Sequence, residues 1–284
     1  MSLSPSLRFS GHESFQCRFY WLKKGYDYLQ DNGDFGSDDA PVKLGVGKNM
    51  VASIRFWLKA FGVLDDAQKK PSDLSKNIFD DKNGWDPYLE DEGTLWLLHY
   101  LLIKNQHASA YYLIFNELRK RRPEFHLSHF ESWVKESGGT GSANTLKTDL
   151  QIFSRMYIPR DDSKDLDESY SGLFTELNLV HKLKKEKQDW FSIEPKRRPE
   201  IPSAVFLYCI LENVDYGNSI SFDVLYNEGV GSIFAMSREG LTEKLEELDE
   251  KYDWLTFSNE AGVKELQFTT KPEPFRILKD YYEG

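Results

Sequence analysis

One pattern, used twice, constrains this chain more than any other feature. A short helix is followed by a glycine-marked turn and then by a second helix with one apolar face and one basic, amide-rich face. The first instance centres on Lys43-Leu44-Gly45-Val46-Gly47-Lys48-Asn49-Met50, the second on Ser142-Ala143-Asn144-Thr145-Leu146-Lys147. A helix built this way buries its apolar stripe and holds the opposite stripe in water, ready for a partner. In sequence this is the form of a helix-turn-helix reader of DNA.

From Lys48 to Phe61 the apolar residues Met50, Ile54, Trp57, Leu58 and Phe61 recur at helical spacing, and Gly62 ends the run. With that stripe buried, Lys48, Ala52, Arg55 and Lys59 share an exposed face, with Asn49 and Ser53 beside it. In the second helix the stripe is Leu146, Leu150, Phe153 and Tyr157, and Asn144, Lys147, Thr148, Gln151 and Arg155 project from the other side. Lys and Arg neutralise phosphates, while Asn and Gln pair with adenine and Arg with guanine. The same residues also suit plain solvated faces, with Ser142 as an N-cap. Gly45-Val46-Gly47-Lys48 is not a phosphate loop, because position 42 is Val and position 49 is Asn. No nucleotide or organic cofactor is therefore expected.

A length of 284 residues suggests two domains, and a net charge of -10, taken alone, disfavours a nonspecific nucleic-acid coat. Positive charge must be focused. The densest run is Arg119-Lys120-Arg121-Arg122, suited to gripping a phosphate backbone or to completing a helix C-terminus before Pro123. Lys182, Lys184, Lys185, Lys187 and Lys196-Arg197-Arg198 form a second basic stretch, interleaved with Trp190 and Phe191. It reads as irregular, with a strand at 190–193, and fits either a single-strand platform or a surface loop. Cys17 and Cys209 have no metal-type spacing, the N-terminus lacks a signal-peptide core, and the run Leu95–Ile103 is too short to span a bilayer. The expected setting is cytoplasmic, with no membrane partner.

Leu7-Arg8-Phe9 reads as a short strand or an extended entry, and helices are expected at Phe15–Leu29, Gly93–Lys104 and Ala108–Arg122. A capping box opens a further helix at Ser128-His129-Phe130-Glu131. Hairpins are expected from Asn77 to Tyr88, around Asn83-Gly84, and from Trp254 to Thr269, around Glu260-Ala261-Gly262. The expected fold is mainly α with small β-hairpins, in tandem winged-helix or helix-turn-helix-like units. The acidic stretch from Ile158 to Ser171 marks the boundary between an N-terminal helical DNA-binding domain, 1–160, and a C-terminal winged-helix-like domain, 161–284. In the latter, the stripe Leu241, Leu245, Leu248 and Tyr252 leaves Glu243, Glu246, Glu247 and Glu250 outward. That face repels phosphates and suits protein contact or a homodimer.

Two constellations carry chemical potential. In Gly11-His12-Glu13-Ser14-Phe15, His12 and Glu13 suit general acid-base work or metal ligation, or cap the first helix. In Asp86-Pro87-Tyr88-Leu89-Glu90-Asp91-Glu92, the acids, Glu90 and Asp91 foremost, suit a Mg²⁺ or Mn²⁺ ion for phosphodiester cleavage, or stabilise the start of the next helix. No Ser-His-Asp, zinc-finger or established nuclease signature is present.

Three segments together carry a resemblance: Phe9-Ser10-Gly11-His12-Glu13-Ser14-Phe15, Leu44-Gly45-Val46-Gly47-Lys48-Asn49-Met50-Val51, and Tyr88 through His99. The chain resembles a bacterial unknown-function (DUF) family that includes the SspB-type proteins of single-stranded phosphorothioate DNA-modification defence systems (not the protease adaptor of the same name). The resemblance runs over most of the chain and is strongest before about residue 160. It implies DNA nicking that opens a backbone phosphate to sulfur insertion. The partners it implies are a cysteine desulfurase, an ATP-pyrophosphatase-like enzyme and an ATPase. The expected function is thus DNA binding and nicking in such a system. The alternatives are a non-catalytic winged-helix regulator or targeting subunit, and a protein-interaction scaffold.

Overall fold

The computed structural model describes residues 7–65, 67–159, 172–260 and 262–284, so Arg160 to Ser171, most of the expected boundary stretch, lies outside the described residues, as does Ala261. The chain divides into two compact units, Met1–Asp91 with Leu101–Ile193 and Glu92–Tyr100 with Glu194–Gly284.

The first unit opens with α1 (Trp21–Gln30), α2 (Ala40–Leu44) and α3 (Lys48–Ala60). α1 starts at Trp21 rather than at Phe15, and the segment before it turns at Ser10, Glu13 and Ser14, all at positive φ. Between α2 and α3, Gly45 closes α2 at φ +62 and Gly47 is the extended N-cap of α3. That turn is held by a small apolar cluster of Tyr28, Ala40, Leu44 and Val51, with Phe35 and Val46 against it. α3 buries Val51, Ile54, Phe56, Trp57 and Leu58.

After α3 a two-strand ribbon pairs β1 (Leu64–Asp65) with β2 (Lys70–Pro71), and α4 (Asp73–Phe79) follows. The hairpin expected at Asn77–Tyr88 does not form. Asn77 and Ile78 finish α4, and their carbonyls accept the N–H groups of Trp85 and Asp86. Asp80 drives the turn instead, its carboxylate accepting the N–H groups of Lys82 and Asn83.

α5 (Glu92–Lys104) is buried from Gly93 to Ile103, apolar but for Thr94 and His99. α6 (Ser109–Tyr112) runs through a π-helical segment, Leu113–Leu118, into α7 (Arg119–Arg121). Then come β3 (Glu124–Phe125), α8 (Leu127–Glu136), α9 (Ala143–Tyr157), β4 (His181–Lys185) and β5 (Gln188–Ser192). The strands form one antiparallel sheet in the order β3-β5-β4. The basic stretch read as irregular is therefore mostly a regular hairpin. α8 begins earlier than expected, with a capping box of two imidazoles. His126 Nδ1 accepts the Ser128 N–H at 3.3 Å, and His129 Nδ1 accepts the His126 N–H at 3.4 Å.

The second unit contains α10 (Ser203–Leu211), buried throughout, then β6 (Ser219–Ser221), α11 (Phe222–Asn227), α12 (Val230–Ile233) and α13 (Arg238–Lys251). The hairpin β7 (Leu255–Glu260) and β8 (Val263–Phe268) forms where expected, and α14 (Pro274–Glu283) ends the chain. The sheet order is β6-β8-β7. Residues 92–100 of α5 belong to this core: Trp96 meets Phe234 edge-on at 5.8 Å, His99 Nε2 lies 2.9 Å from the Ile233 carbonyl, and Tyr100 donates to the Cys209 carbonyl at 2.9 Å.

One element order thus occurs in both units: helix, strand, helix, helix, strand, strand, with the last strand central in the sheet. In the second unit the short α12 is interposed. The fold is mainly α with small antiparallel sheets, as expected. Among the described residues no helix is long and apolar enough to cross a membrane.

Candidate nucleic-acid interface

α3 presents Lys48, Asn49, Ala52 and Arg55 to solvent, with Lys59 half-buried. Ser53 corrects the expectation: it is fully buried and its Oγ has no hydrogen-bond partner. It lies three and four residues before the buried Phe56 and Trp57, so helical spacing puts it on the packed side.

α9 starts on Ser142, whose Oγ accepts the Thr145 N–H at 3.1 Å. Its apolar side joins an aromatic cluster, with Phe153 at 5.5 Å from Tyr111 and Tyr157 at 5.5 Å from Phe115. Asn144, Lys147 and Gln151 are exposed, and Arg155 is half-buried.

A cleft of about 1390 Å³ lies between α9 and the β4–β5 hairpin. Lys147, Gln151 and Arg155 line it from α9, and Lys182, Lys184 and Lys187 from the hairpin, over apolar residues that include Leu150 and Phe191. The fold here brings together two basic segments that are far apart in sequence. Lys182 is paired with Asp189 at 2.9 Å. Lys185 pairs instead with Glu124 and lies 5.3 Å from the Trp190 ring centre. Sequence reasoning missed the hairpin as a wall of this site. The signal present was the strand-forming Trp190-Phe191, preceded by the lysines of Lys182 to Lys187.

The other basic runs do not act as blocks. Arg119 is buried and its Nε donates to the Phe115 carbonyl at 2.7 Å, so it anchors its own helix. Lys120, Arg121 and Arg122 are exposed, and the Arg121 guanidinium stacks 4.0 Å from the Trp133 ring centre. In the second unit Arg197 pairs with Glu239 and Glu243, and Arg198 is buried. Glu243, Glu246, Glu247 and Glu250 of α13 are exposed, as expected.

His12 neither caps α1 nor reaches solvent. It is buried, with Nε2 at 2.5 Å from Asp149 Oδ1, and it stacks on Trp57 at 6.1 Å. Its Nδ1 accepts the Ser14 N–H at 3.2 Å, so Nε2 carries the proton and donates to Asp149. Asp149 also accepts the Ser10 N–H through both oxygens. Glu13 is exposed, at φ +48.

In the acidic segment the buried carboxylate is Asp86. It accepts the N–H of Glu90 at 2.8 Å and of Asp91 at 3.1 Å, a cap on the approach to α5. Glu90 is exposed and Asp91 half-buried. Among the described residues no three His, Cys, Asp or Glu side chains converge as a metal set. Glu90 and Asp91 are not part of any such set.

Two solved structures resemble this chain. A magnesium ion-bound SspB crystal structure is 28% identical, with a TM-score of 0.85, and the match covers 99% of this chain and 88% of that one. An SspB crystal structure is 28% identical over the same shares, with a TM-score of 0.83. No curated protein matches the chain. The family described as "Protein of unknown function (DUF4007)" matches residues 9–282, and the chain belongs to it.

Proposed function

We propose that this protein binds DNA and nicks it within a phosphorothioate DNA-modification and anti-phage defence system. The observation that carries the DNA-binding part is the cleft at α9. It gathers five cations against two carboxylates in a chain whose net charge is -10. The likeness to SspB along nearly the whole chain supports the placement in such a system.

On this reading the repeated element order is that of a winged helix. α9 and α13 are the third helices of two such units, and α2–α3 with the β1–β2 ribbon is a shorter helix-turn-helix. Lys48, Asn49, Arg55 and Lys59 of α3, Asn144, Lys147, Gln151 and Arg155 of α9, and the exposed Lys120, Arg121 and Arg122 hold the DNA. The DNA-binding part runs past the expected boundary at 160 to take in the β4–β5 hairpin, and the second unit, with its acidic α13, carries protein contact. The implied partners remain a cysteine desulfurase, an ATP-pyrophosphatase-like enzyme and an ATPase, in the cytoplasm.

For the cleavage step, Glu90, Asp91 and Glu13 are the candidate acid-base groups that reach solvent. His12 is not among them, since its ring is buried and committed to Asp149. A divalent ion enters the reading through the magnesium-bound SspB structure alone. Among the described residues the carboxylates give it no three-ligand set. The test is purified protein on supercoiled plasmid, with and without Mg²⁺ or Mn²⁺, beside the Glu90→Ala/Asp91→Ala variant. Open-circle product that the folded double variant fails to make supports the reading, and undiminished nicking by that variant sinks the assignment of Glu90 and Asp91.

A second reading, a non-catalytic winged-helix regulator or targeting subunit, is favoured by one observation. Asp86, the buried acid of the segment, is engaged in capping backbone N–H groups. Intact plasmid with a salt-sensitive gel shift selects it.

A further inference from the structure

The β4–β5 hairpin holds cations that the helix-based reading of the site does not use. β4 is an edge strand, and lysines on an edge strand have an ordinary explanation, because they block pairing with another chain. That explanation does not extend to Lys187. Lys185 pairs with Gln188, so Glu186 and Lys187 form a two-residue turn, at φ +50 and +64. Such a turn prefers Asn-Gly, and a lysine in its second position is held at some conformational cost. The Lys187 side chain nevertheless lines the cleft opposite Lys147.

The cleft's size and chemistry limit its occupant. At about 1390 Å³ it exceeds the roughly 300–1,000 Å³ of small-molecule pockets, so it suits a stretch of polymer. Its cations stand on both walls, and its base is apolar at Leu150 and Phe191. An anionic chain with apolar segments between its charges fits that pattern, and a phosphodiester backbone with its sugars is one. Gln151, an amide able to reach base edges, faces the same space from the helix wall.

We propose that the cleft between α9 and the β4–β5 hairpin seats the phosphodiester backbone of one strand of duplex DNA, with Lys184 and Lys187 contacting phosphates from the hairpin and Lys147 and Gln151 from the helix. The inference rests on the DNA-binding reading and adds to it the second wall of the site. It makes the hairpin a phosphate-contacting wing, which contributes affinity and salt dependence without sequence preference.

The experiment is fluorescence anisotropy of the full chain with a labelled duplex across a salt series, for the wild type, Lys184→Ala/Lys187→Gly and Lys147→Ala/Gln151→Ala. Glycine at position 187 removes the cation and suits the turn, so the hairpin variant keeps its fold, checked by its melting temperature. The expected result is an affinity loss of about tenfold in the hairpin variant. The slope of log affinity against log salt should fall by about 2, roughly one per phosphate contact. Wild-type binding with an unchanged slope in the hairpin variant, while the helix variant weakens, overturns the inference and leaves DNA binding intact. No salt-dependent binding by the wild type overturns both. Tighter binding of a polyglutamate peptide than of duplex, lost in the same hairpin variant, also overturns it.

Discussion

His12 Nε2 and Asp149 Oδ1 lie 2.5 Å apart, both side chains buried, across 137 residues of sequence. The contact ties the Gly11-His12-Glu13 segment to α9, and the stacked Trp57 ties the same imidazole to α3. Removing the ring takes from a buried carboxylate its side-chain donor and leaves it only the Ser10 N–H, a loss of about 1–3 kcal/mol. His12→Ala should therefore lower stability in urea unfolding, and any loss of nicking should follow the unfolded fraction. A His12→Ala protein of unchanged stability that no longer nicks would instead give His12 a direct chemical role.

Gly11 sits at φ +99, and a Cβ placed there would lie 2.8 Å from Phe56 Cδ2. Backbone strain and overpacking act together at this position. Gly11→Ala should cost about 1–3 kcal/mol in thermal unfolding. A melting curve identical to the wild type would mean the segment takes another path in solution.

Burial, the neighbouring His126 and the Arg122 guanidinium lower the His129 pKa from its ordinary 6.5. The folded state therefore binds this proton less readily than the unfolded chain. Stability from this group is fully present above pH 6.5 and is lost as pH falls below it toward the lowered value. Protonation would also end the acceptance of the His126 N–H by Nδ1. Hydrogen exchange in the first turn of α8 should accelerate below that pH, and His129→Gln should flatten the dependence. An imidazole titration by NMR at or above 6.5 would refute it.

Ser53 carries a buried hydroxyl without a partner in the middle of α3. Alanine removes an unsatisfied group and raises helix propensity. Ser53→Ala should leave stability unchanged or raise it by up to about 1 kcal/mol, read as the urea midpoint. A clear loss of stability would mean the hydroxyl has a partner in solution.

The two basic helices were legible in the sequence because amphipathic spacing and their punctuation agree: Gly45 and Gly47 before α3, Ser142 before α9. The β4–β5 wall was not. In Lys182-Leu183-Lys184-Lys185-Glu186-Lys187-Gln188-Asp189 nearly every position is polar, so the alternation that marks a strand is absent, and the turn lacks glycine. Asn83-Gly84 misled for the opposite reason. A strong turn signal stood beside Asn77 and Ile78, which α4 had already claimed, and Asp80 supplied a local alternative. The cap of α8 was read at Ser128 because serine is a common cap, whereas the fold uses the ring of His126. The His12 contact could not be read locally, since its partner is an aspartate in the middle of a distant helix.

Residues 92–100 belong to the second unit's core, yet they precede Leu101–Ile193, which belong to the first. A fragment starting at Glu194 would lack Trp96 against Phe234, and would leave the Ile233 carbonyl without the His99 ring. This unit cannot be inherited, fused or exchanged as a contiguous cassette. During synthesis, its apolar helix leaves the ribosome long before its partners exist and must be shielded until the last third of the chain arrives. A stop codon between residue 104 and Cys209 therefore leaves an orphaned hydrophobic helix, a ready target for quality-control machinery.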